Sequence, residues 1–250
     1  MRHGESGWNQ ENRWTSWVDA PLTDRGVESA RECGRLLSAA GVDLCSAHTS
    51  LLSRSVKSCW ACLEAMDRMW LPVLGSWRLN ERHYGALVGL NKTEAVQEFG
   101  LERVKEWRRG LDSRPPPITP ANPNYRGIID DHRYAVLAAE GEAMPLTESL
   151  SDVLLRLLPY WDAHIAPELR AGRATAVVAH SNVTRALMTM LEDLPTASIL
   201  ELNVPKGVPI VYTLDINTLR PVGPPLFLGD ASRIEAAVRD VAAEIQIEAG

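Results

Sequence analysis

Apolar residues recur every three or four positions in several segments of the chain, which is the period of a helix with one buried face. After Thr23, a suitable N-cap, this pattern continues to Gly41, a suitable stop. A second face, from Leu52 to Met66, predicts a helix that begins near 50–54. The same pattern predicts further helices over about 147–169, from 181–182 to about 191, and around Trp107.

Short runs of mostly apolar residues lie between these helices and are typical of strands. They predict strands at 42–49, 72–74, 174–179 and 208–214. Strands that alternate with helices predict an α/β fold with a mostly parallel sheet. The pattern from 128 to 144 predicts no firm structure, and the C-terminal tail, about 231–250, is expected to be mobile.

Length and composition narrow the class of protein. The 250 residues are 45% hydrophobic and 23% charged, which is ordinary for one globular domain, here taken as 1–250. No apolar run is long enough to span a bilayer, and the N-terminus has the pattern of neither a signal nor a transit peptide. We therefore expect a cytoplasmic protein with no membrane partner. The net charge of −6 argues against nucleic acid as a partner but allows a cationic pocket for a small anion.

Two of the four cysteines, Cys59 and Cys62, have the Cys-x-x-Cys spacing of a redox centre or of half a zinc site. The sequence has no second pair to complete a zinc site. Both cysteines lie on the apolar face from Leu52 to Met66, which favours core packing. Because no other cluster of metal ligands is evident, we predict no metal site.

The segment Arg2-His3-Gly4 combines residues suited to phosphoryl chemistry. A neutral imidazole is a nucleophile, an arginine matches phosphate oxygens, and a glycine beside the nucleophile lets the backbone approach a bulky phosphoryl group. Arg54 and His180 each follow a predicted strand, at the edge of a parallel sheet where ligands bind. Each residue alone would equally fit a surface loop. Together, the three strand-end groups predict one phosphate site.

The segment 77–85 carries five polar or ionisable groups in six positions and fits neither an amphipathic helix nor a strand. It is therefore either an exposed loop or the wall of an active site. Glu81 within it is the candidate for moving a substrate proton. An ion pair between Glu81 and Arg78 or Arg82 is the alternative.

With these motifs, the sequence resembles the cofactor-dependent phosphoglycerate mutases, a branch of the histidine phosphatase superfamily. The resemblance extends from Arg2 to about Asp230. Arg2-His3-Gly4-Glu5 is similar to the superfamily signature, in which the histidine becomes phosphorylated. The mutase branch is indicated by the segments 77–85, 89–92, 107–109, 115–117, 148–150 and 227–230.

The resemblance implies a sheet with helices on both faces and an insert, about 77–145, that covers the active site. It implies an isomerase of glycolysis and gluconeogenesis that interconverts 3-phosphoglycerate and 2-phosphoglycerate. Such an enzyme is primed by 2,3-bisphosphoglycerate and requires no metal. The resemblance also implies a homodimer or a higher even homo-oligomer.

The resemblance further implies a role for each matching residue. The catalytic set is His3, Glu81, His180, Arg2 and Arg54, with the phosphoryl group carried by His3. The substrate-binding set is Asn9, Thr15, Ser16, Arg82, Tyr84, Lys92, Arg108, Arg109, Ser181 and Asn182.

The sequence departs from the family pattern in two ways. The family has a strand, central in its sheet, before Arg-His-Gly, whereas here only Met1 precedes it. Ser16 and Ser181 stand where the family has glycine; if position 181 requires a positive φ, serine strains it by about 1 kcal/mol or more. Two other functions stay open: a phosphatase that uses the same phosphohistidine, and a catalytically impaired relative that acts in binding.

Overall fold

The computed structural model describes residues 1–195, 198–199 and 202–243. The helices are α1 (Gly7–Gln10), α2 (Asp24–Ala39), α3 (Ser53–Ala65), α4 (Lys92–Phe99), α5 (Leu101–Arg109), α6 (Tyr125–Ile129), α7 (Ala135–Ala139), α8 (Leu150–Tyr160), α9 (Ala166–Arg170), α10 (Ser181–Glu192) and α11 (Ala231–Ala243). The strands are β1 (Leu44–Thr49), β2 (Val73–Gly75), β3 (Ala174–Val178), β4 (Ile210–Val211) and β5 (Leu226–Phe227).

The central sheet is parallel, as predicted, and has the strand order β2-β1-β3. The first residues of the chain continue this sheet along the free edge of β3. The Ala179 N–H donates to the Met1 carbonyl (3.1 Å), and the His3 N–H donates to the Ala179 carbonyl (2.9 Å). Arg2 forms parallel bridges with both Ala179 and Lys206. This pairing places His3 at the carboxyl end of the sheet.

Helices cover both faces of the sheet. On one face, α2 and α3 bury a core that includes Cys33, Leu63 and Val178. On the other face, α8 and α10 bury a second core around Leu157 and Ala186. The α/β fold with flanking helices is therefore confirmed. No helix in the described ranges is both long and apolar enough to cross a membrane.

The cysteine pair belongs to the core, as predicted. Cys59 and Cys62 are free thiols on the buried face of α3. Burial raises the pKa of the Cys59 thiol to about 12 and that of the Cys62 thiol to about 11. Both thiols are therefore protonated at neutral pH and are poor nucleophiles.

The predicted helix over 147–169 differs from the observed one at its start and in its middle. Ser149, not Thr147, is the N-cap, because Ser149 forms a capping box with Asp152. The Thr147 hydroxyl donates instead to the Pro115 carbonyl (2.7 Å). A π-helical turn, Trp161–Ile165, separates α8 from α9.

One other prediction is corrected. The strand predicted over 208–214 is only the two residues of β4, which pairs antiparallel with β5. The helix predicted around Trp107 is confirmed as the short α5, which is separated from α4 by Gly100 at φ +85°. At the C-terminus, the tail predicted to be mobile forms α11 as far as Ala243, and residues 244–250 lie outside the described residues.

The insert, 77–145, has a hydrophobic core of its own. Trp77, Trp107 and Tyr134 are buried there together with Trp14 and Trp17 from the N-terminal loop. The N-terminal loop is thus fixed between the sheet and the insert. The insert and the N-terminal loop therefore share one core.

A buried guanidinium holds the polar segment 77–83 in place. The Arg156 Nε donates to Glu148 Oε1 (2.6 Å), and the side chains are only 7% and 4% exposed. The same guanidinium donates to the carbonyls of Arg78 (2.5 Å) and Asn80 (2.7 Å). Glu148 Oε2 in turn accepts the His83 N–H (2.7 Å). The irregular backbone around Glu81 therefore has buried partners for its polar groups.

Two glycines bring α2 against the His3 loop. A Cβ on Gly4 would lie 2.0 Å from the Gly26 carbonyl oxygen, and a Cβ on Gly26 would lie 2.1 Å from the Glu5 carbonyl oxygen. The sequence suggested that Gly4 admits a phosphoryl group. The contact in the structure gives a different reason for a glycine, which is close packing of the His3 loop on the first turn of α2.

Replacing Arg156 by methionine should lower the free energy of unfolding by about 3–5 kcal/mol, because Glu148 is left buried without its cation. The matched control is Arg114→Met. Arg114 pairs with Asp152 at 2.5 Å, but its side chain is 58% exposed, so that loss should stay below about 1 kcal/mol. Denaturant unfolding of both variants measures the difference. Similar losses in the two would contradict the role given to Arg156.

Gly26→Ala should lower the free energy of unfolding by about 1–3 kcal/mol, because the added methyl group meets backbone atoms that cannot rotate away. Gly127→Ala is the control, since a Cβ there meets nothing within 4 Å and Gly127 lies inside α6. That change should be neutral or stabilise by up to about 1 kcal/mol. Thermal unfolding reports both effects, and an equal response of the two variants would rule out the contact.

Candidate active site

A pocket opens at the carboxyl end of the sheet, where the N-terminal loop meets the insert. It is lined by Arg2, His3, Asn9, Arg13, Trp14, Thr15, Ser16, Arg54, Glu81, Tyr84, Lys92, Arg108 and Ser181. Cations predominate in this lining, and Glu81 is its single carboxylate. The pocket is therefore suited to an anion.

His3 has the geometry of a nucleophile. Its Nδ1 lies 2.6 Å from the Gly4 carbonyl oxygen, a hydrogen bond that requires the proton on Nδ1 and leaves the lone pair on Nε2. Burial, followed by the charges of Arg54 and Arg2, holds the pKa of His3 well below its ordinary value. The ring is therefore neutral at neutral pH, which is the nucleophilic form.

His180 lies beside His3, with the ring centroids 4.9 Å apart. Its Nε2 is 2.8 Å from the Ser50 Oγ, while its buried Nδ1 has no partner among the described residues. Burial, then the charges of Arg54 and His3, holds the pKa of His180 well below its ordinary value. One ring nitrogen of a neutral imidazole is thus left without a partner at a buried position beside His3.

Arg2 and Arg54 supply positive charge next to these rings. Arg54 donates to the Ser16 and Val18 carbonyls (2.7 Å each), which fixes the N-terminal loop around the pocket. Burial lowers the pKa of Arg54 to about 10, so the side chain stays charged at neutral pH. Arg2 Nη1 donates to the Val204 carbonyl (3.2 Å), and its Nε has no partner among the described residues.

The carboxylate of Glu81 is held by N–H donors rather than by an ion pair. Its Oε1 accepts the Arg82 N–H (2.8 Å), the Asn182 side-chain amide (2.9 Å) and the Asn182 N–H (3.3 Å). Glu81 therefore lies at the N-terminus of α10, where the helix dipole favours a negative group. Arg78, one of the alternative partners, is paired with Glu140 and Glu142 instead.

Asn182 joins the Glu81 carboxylate to the aromatic wall. The same side-chain amide that reaches Glu81 also donates to the Tyr84 hydroxyl (2.7 Å). The Tyr84 ring packs against Trp14, with centroids 4.6 Å apart. Asn182 is thus a positioning residue behind the pocket, whereas Tyr84 lines it.

The insert contributes two cations to the pocket, Lys92 and Arg108. Two others that the sequence assigned to substrate binding lie elsewhere. Arg109 donates to the Leu202 carbonyl (3.1 Å) and to Asn203 Oδ1 (2.6 Å). Arg82 is buried under the Tyr84 ring, 4.5 Å from its centroid, and donates to backbone carbonyls of α5. These two arginines position the wall rather than face the pocket.

The two serines that replace family glycines behave differently. Ser16 has a φ of +51°, so its backbone is strained by about 1–2 kcal/mol relative to glycine. Its hydroxyl accepts a hydrogen bond from the Tyr84 N–H (3.1 Å), which offsets part of this strain. Ser181 is the first residue of α10 and has an ordinary helical backbone, so the strain considered for it is absent.

Four residues of the site are not indicated by the sequence pattern. Arg13 and Trp14 line the pocket, Ser50 bonds to His180, and the Ser58 Oγ accepts the Gly4 N–H (3.0 Å). Ser50 and Ser58 flank Arg54 around the start of α3. Their closeness in sequence to the end of β1 is the feature that could have indicated a place in the site. Arg13 and Trp14 lie in a loop without hydrophobic periodicity, so the sequence does not indicate which way their side chains point.

The free energy of unfolding should fall as the pH is lowered from 7 to 5. Besides His3 and His180, burial lowers the pKa of His48 to about 4 and that of His83 to about 3. Below about pH 6.5 the histidines of the unfolded chain become protonated, whereas these buried histidines of the folded chain stay neutral. One such histidine gives a loss of about 2 kcal/mol at pH 5. Denaturant unfolding at both pH values tests this, and an unchanged midpoint would show that the histidines are accessible.

Comparison with known proteins relates this geometry to a family. The model of the histidine phosphatase superfamily (branch 1) matches residues 1–125, the half that contains Arg2, His3 and Arg54. Three solved structures share the fold, each at less than 25% identity, a level that shows the fold alone.

The first, a mycobacterial glucosyl-3-phosphoglycerate phosphatase in complex with vanadate, has 22% identity and a TM-score of 0.65, with 90% of this chain and 94% of that chain covered. A putative alpha-ribazole-5'-phosphate phosphatase from Escherichia coli has 22% identity and a TM-score of 0.61, with 92% and 94% covered. A phosphoglycerate mutase from Bacillus anthracis has 21% identity and a TM-score of 0.55, with 77% and 78% covered. With half of its length matched by the family model, the chain belongs to the histidine phosphatase superfamily, branch 1.

Proposed function

We propose that the protein is a phosphoglycerate mutase that interconverts 3-phosphoglycerate and 2-phosphoglycerate through a phosphohistidine at His3. The observation that carries the proposal is the presence of two sets of cations in one pocket. Arg2 and Arg54 accompany His3, whereas Lys92 and Arg108 come from the insert. A ligand with a phosphate at one position and a carboxylate or second phosphate at another satisfies both sets.

The donor set also fits 2,3-bisphosphoglycerate. The ligand has three anionic groups, and the pocket offers the four cations above together with Arg13 and the hydroxyl of Tyr84. Arg2 and Arg54 would hold the phosphate that faces His3, and Lys92 and Arg108 the distal groups. When bound, this ligand supplies the phosphoryl group that primes His3.

His3 Nε2 is the attacking atom in the proposed reaction. A bond forms between Nε2 and phosphorus as the phosphorus–oxygen bond to the departing hydroxyl breaks. In the reverse direction the phosphoryl group passes to the hydroxyl of a monophosphoglycerate, and Nε2 regains its lone pair. Arg2, Arg54 and the unpartnered nitrogen of His180 stabilise the charge on the transferring oxygens.

Glu81 is the proposed proton carrier. It gives a proton to the departing hydroxyl oxygen and takes one from the attacking hydroxyl, so each half-reaction balances. Its fixed contacts with Asn182 and the Arg82 N–H use Oε1, and the residue also lines the pocket. The contacts of Oε1 can therefore hold the Glu81 side chain in place while its carboxyl group exchanges protons with a ligand.

The sequence resemblance supports the mutase over other members of the family. The segments 77–85, 89–92 and 107–109 form the walls that carry Glu81, Tyr84, Lys92 and Arg108. Two of the similar structures are of enzymes named for phosphoglycerates, one a mutase and one a phosphatase of a glucosyl derivative. The enzyme would then act in glycolysis and gluconeogenesis.

A phosphatase is the second candidate, because two of the three similar structures named above are phosphatases. The same phosphohistidine would then pass its phosphoryl group to water. The third possibility is a relative that binds phosphoglycerates without turnover. The three functions differ in what happens at His3, which can be measured directly.

We also propose that the protein is a homodimer or a higher even homo-oligomer. The strand β2 lies at the outer edge of the sheet, with a free edge among the described residues. The two residues Met69 and Trp70, close to this strand, are 50% and 72% exposed. Open strand edges and exposed apolar side chains are features that oligomers cover.

Purified protein should convert 3-phosphoglycerate to 2-phosphoglycerate, with a rate that rises on addition of 2,3-bisphosphoglycerate and is unchanged by a chelator. His3→Ala should lower the rate at least about a thousandfold, because the attacking nitrogen is lost. Glu81→Gln should lower it by about 10²–10⁴-fold. His132→Ala is the control, since that side chain is 98% exposed, and should leave the rate unchanged.

Acid-labile phosphate on His3, released as inorganic phosphate without 2-phosphoglycerate, would favour the phosphatase. A folded protein that takes up no phosphate on His3 would leave only the binding function. Loss of activity with a chelator, restored by a metal, would contradict the proposed mechanism.

A further inference from the structure

The two histidines of the site differ in what holds their ring nitrogens. In His3, the Gly4 carbonyl accepts from Nδ1 at 2.6 Å, so the backbone itself fixes the proton on Nδ1. In His180, Nε2 lies 2.8 Å from the Ser50 hydroxyl, a group that can either donate or accept. The position of the His180 proton therefore depends on the direction of one hydrogen bond.

The ring of His180 carries a single proton at neutral pH. The side chain is fully buried, and burial, followed by the charges of Arg54 and His3, holds its pKa well below the ordinary value. A neutral imidazole has one N–H and one lone pair. The contact with Ser50 thus decides whether the other nitrogen, Nδ1, presents a proton or a lone pair.

The sheet places Ser50 beside His180. Thr49 and Val178 are paired at the ends of the parallel strands β1 and β3, so the residues that follow them are neighbours at the carboxyl edge. Ser50 is fully buried there, and its Oγ accepts the N–H of Leu52, the N-cap of α3, at 3.2 Å. The hydroxyl oxygen is therefore fixed by the start of α3.

The groups around Ser50 determine the direction of its hydrogen bond to His180. Within the described part of the chain, the Ser50 oxygen contacts only the Leu52 N–H and His180 Nε2. A proton on Nε2 would leave two buried groups unpaired, the Ser50 O–H and the lone pair of Nδ1. A proton on Nδ1 leaves one group unpaired, since the Ser50 O–H then donates to Nε2. The second arrangement is favoured, because each unpaired buried group costs free energy.

The remaining unpaired group lies next to the nucleophile. His180 Nδ1 is buried without a partner among the described residues, and the ring centroids of His180 and His3 are 4.9 Å apart. The oxygens of an ionised phosphoryl group on His3 are acceptors only. An N–H beside them is attractive, whereas a lone pair in the same position repels them.

We propose that Ser50 is a positioning residue, which holds His180 in the tautomer with the proton on Nδ1 so that His180 donates to the phosphoryl group on His3. The use of this donor rests on the proposed phosphohistidine. The tautomer itself is a property of the free protein, so it can be measured without any turnover.

The ¹⁵N shifts of protein labelled in its histidine rings test the tautomer, with His180 assigned by the signals that His180→Gln removes. In the unmodified chain, Nδ1 of His180 should be pyrrole-like and Nε2 pyridine-like. Ser50→Ala should move the proton at least partly to Nε2, because the donor to Nε2 is lost. Ser50→Thr keeps a hydroxyl and should keep the original tautomer.

Ser55→Ala is the matched control. The Ser55 hydroxyl is as buried as that of Ser50 and contacts the Val178 carbonyl (2.5 Å) and Thr49 Oγ1 (2.8 Å), but neither histidine of the site. This variant loses a buried hydrogen bond and should still leave the His180 tautomer unchanged. If Ser50→Ala does not fold, Ser50→Cys takes its place, and its weaker donor should give a mixture of tautomers.

Inorganic phosphate is the probe for the donated hydrogen bond. Its addition should shift the signal of the His180 Nδ1 proton in the unmodified chain, and less so in Ser50→Ala. With 3-phosphoglycerate and 2,3-bisphosphoglycerate, Ser50→Ala should lower kcat by about tenfold to a hundredfold, because the donor acts on the transferring oxygens. KM should change less than kcat, and Ser50→Thr should restore most of the rate.

A pyridine-like Nδ1 of His180 in the unmodified chain would overturn the proposal, and so would an unchanged tautomer in Ser50→Ala. An equal loss of kcat in Ser55→Ala, or an Nδ1 proton that does not respond to phosphate, would also overturn it. The expected tautomer and phosphate shift in a protein without turnover would support the role of Ser50 and contradict the mutase, so the two failures are distinct.

Discussion

The active site depends on the buried ion pair between Arg156 and Glu148. These two side chains bind the carbonyls and N–H groups of 77–83, a segment with too many polar groups to form a regular element. Such a backbone can be buried only when its polar groups have partners. Because the segment is fixed, Glu81 reaches the N-terminus of α10 and Tyr84 reaches Trp14.

Burial determines the chemistry of the histidines. His3 and His180 are enclosed with Arg2 and Arg54, and both burial and neighbouring charge disfavour protonation of the rings. The fold is therefore sensitive to acid, and at neutral pH the two imidazoles stay neutral among cations. An arriving phosphate would add negative charge next to the arginines, which is the change that such an arrangement favours.

Two cavities at different parts of the same sheet differ in polarity. At the carboxyl end, Arg2, Arg54, Lys92 and Arg108 surround a pocket that also contains His3. Beside β3, the lining side chains are almost all apolar.

The sequence alone determined the parts that follow from local pattern. Thr23 and Gly41 bound α2, and Cys59 and Cys62 lie on the buried face of α3. The residues His3, Arg54 and His180 meet at strand ends because parallel strands share one edge. Adjacent residues on a helix, however, point about 100° apart.

Only the tertiary structure could therefore show that Arg108 lines the pocket while Arg109 binds 202–203. It also showed that Arg82 supports Tyr84, that Arg13 and Trp14 join the site, and that Ser16, not Ser181, has the strained backbone. These facts depend on contacts between segments far apart in the chain, which no local pattern contains.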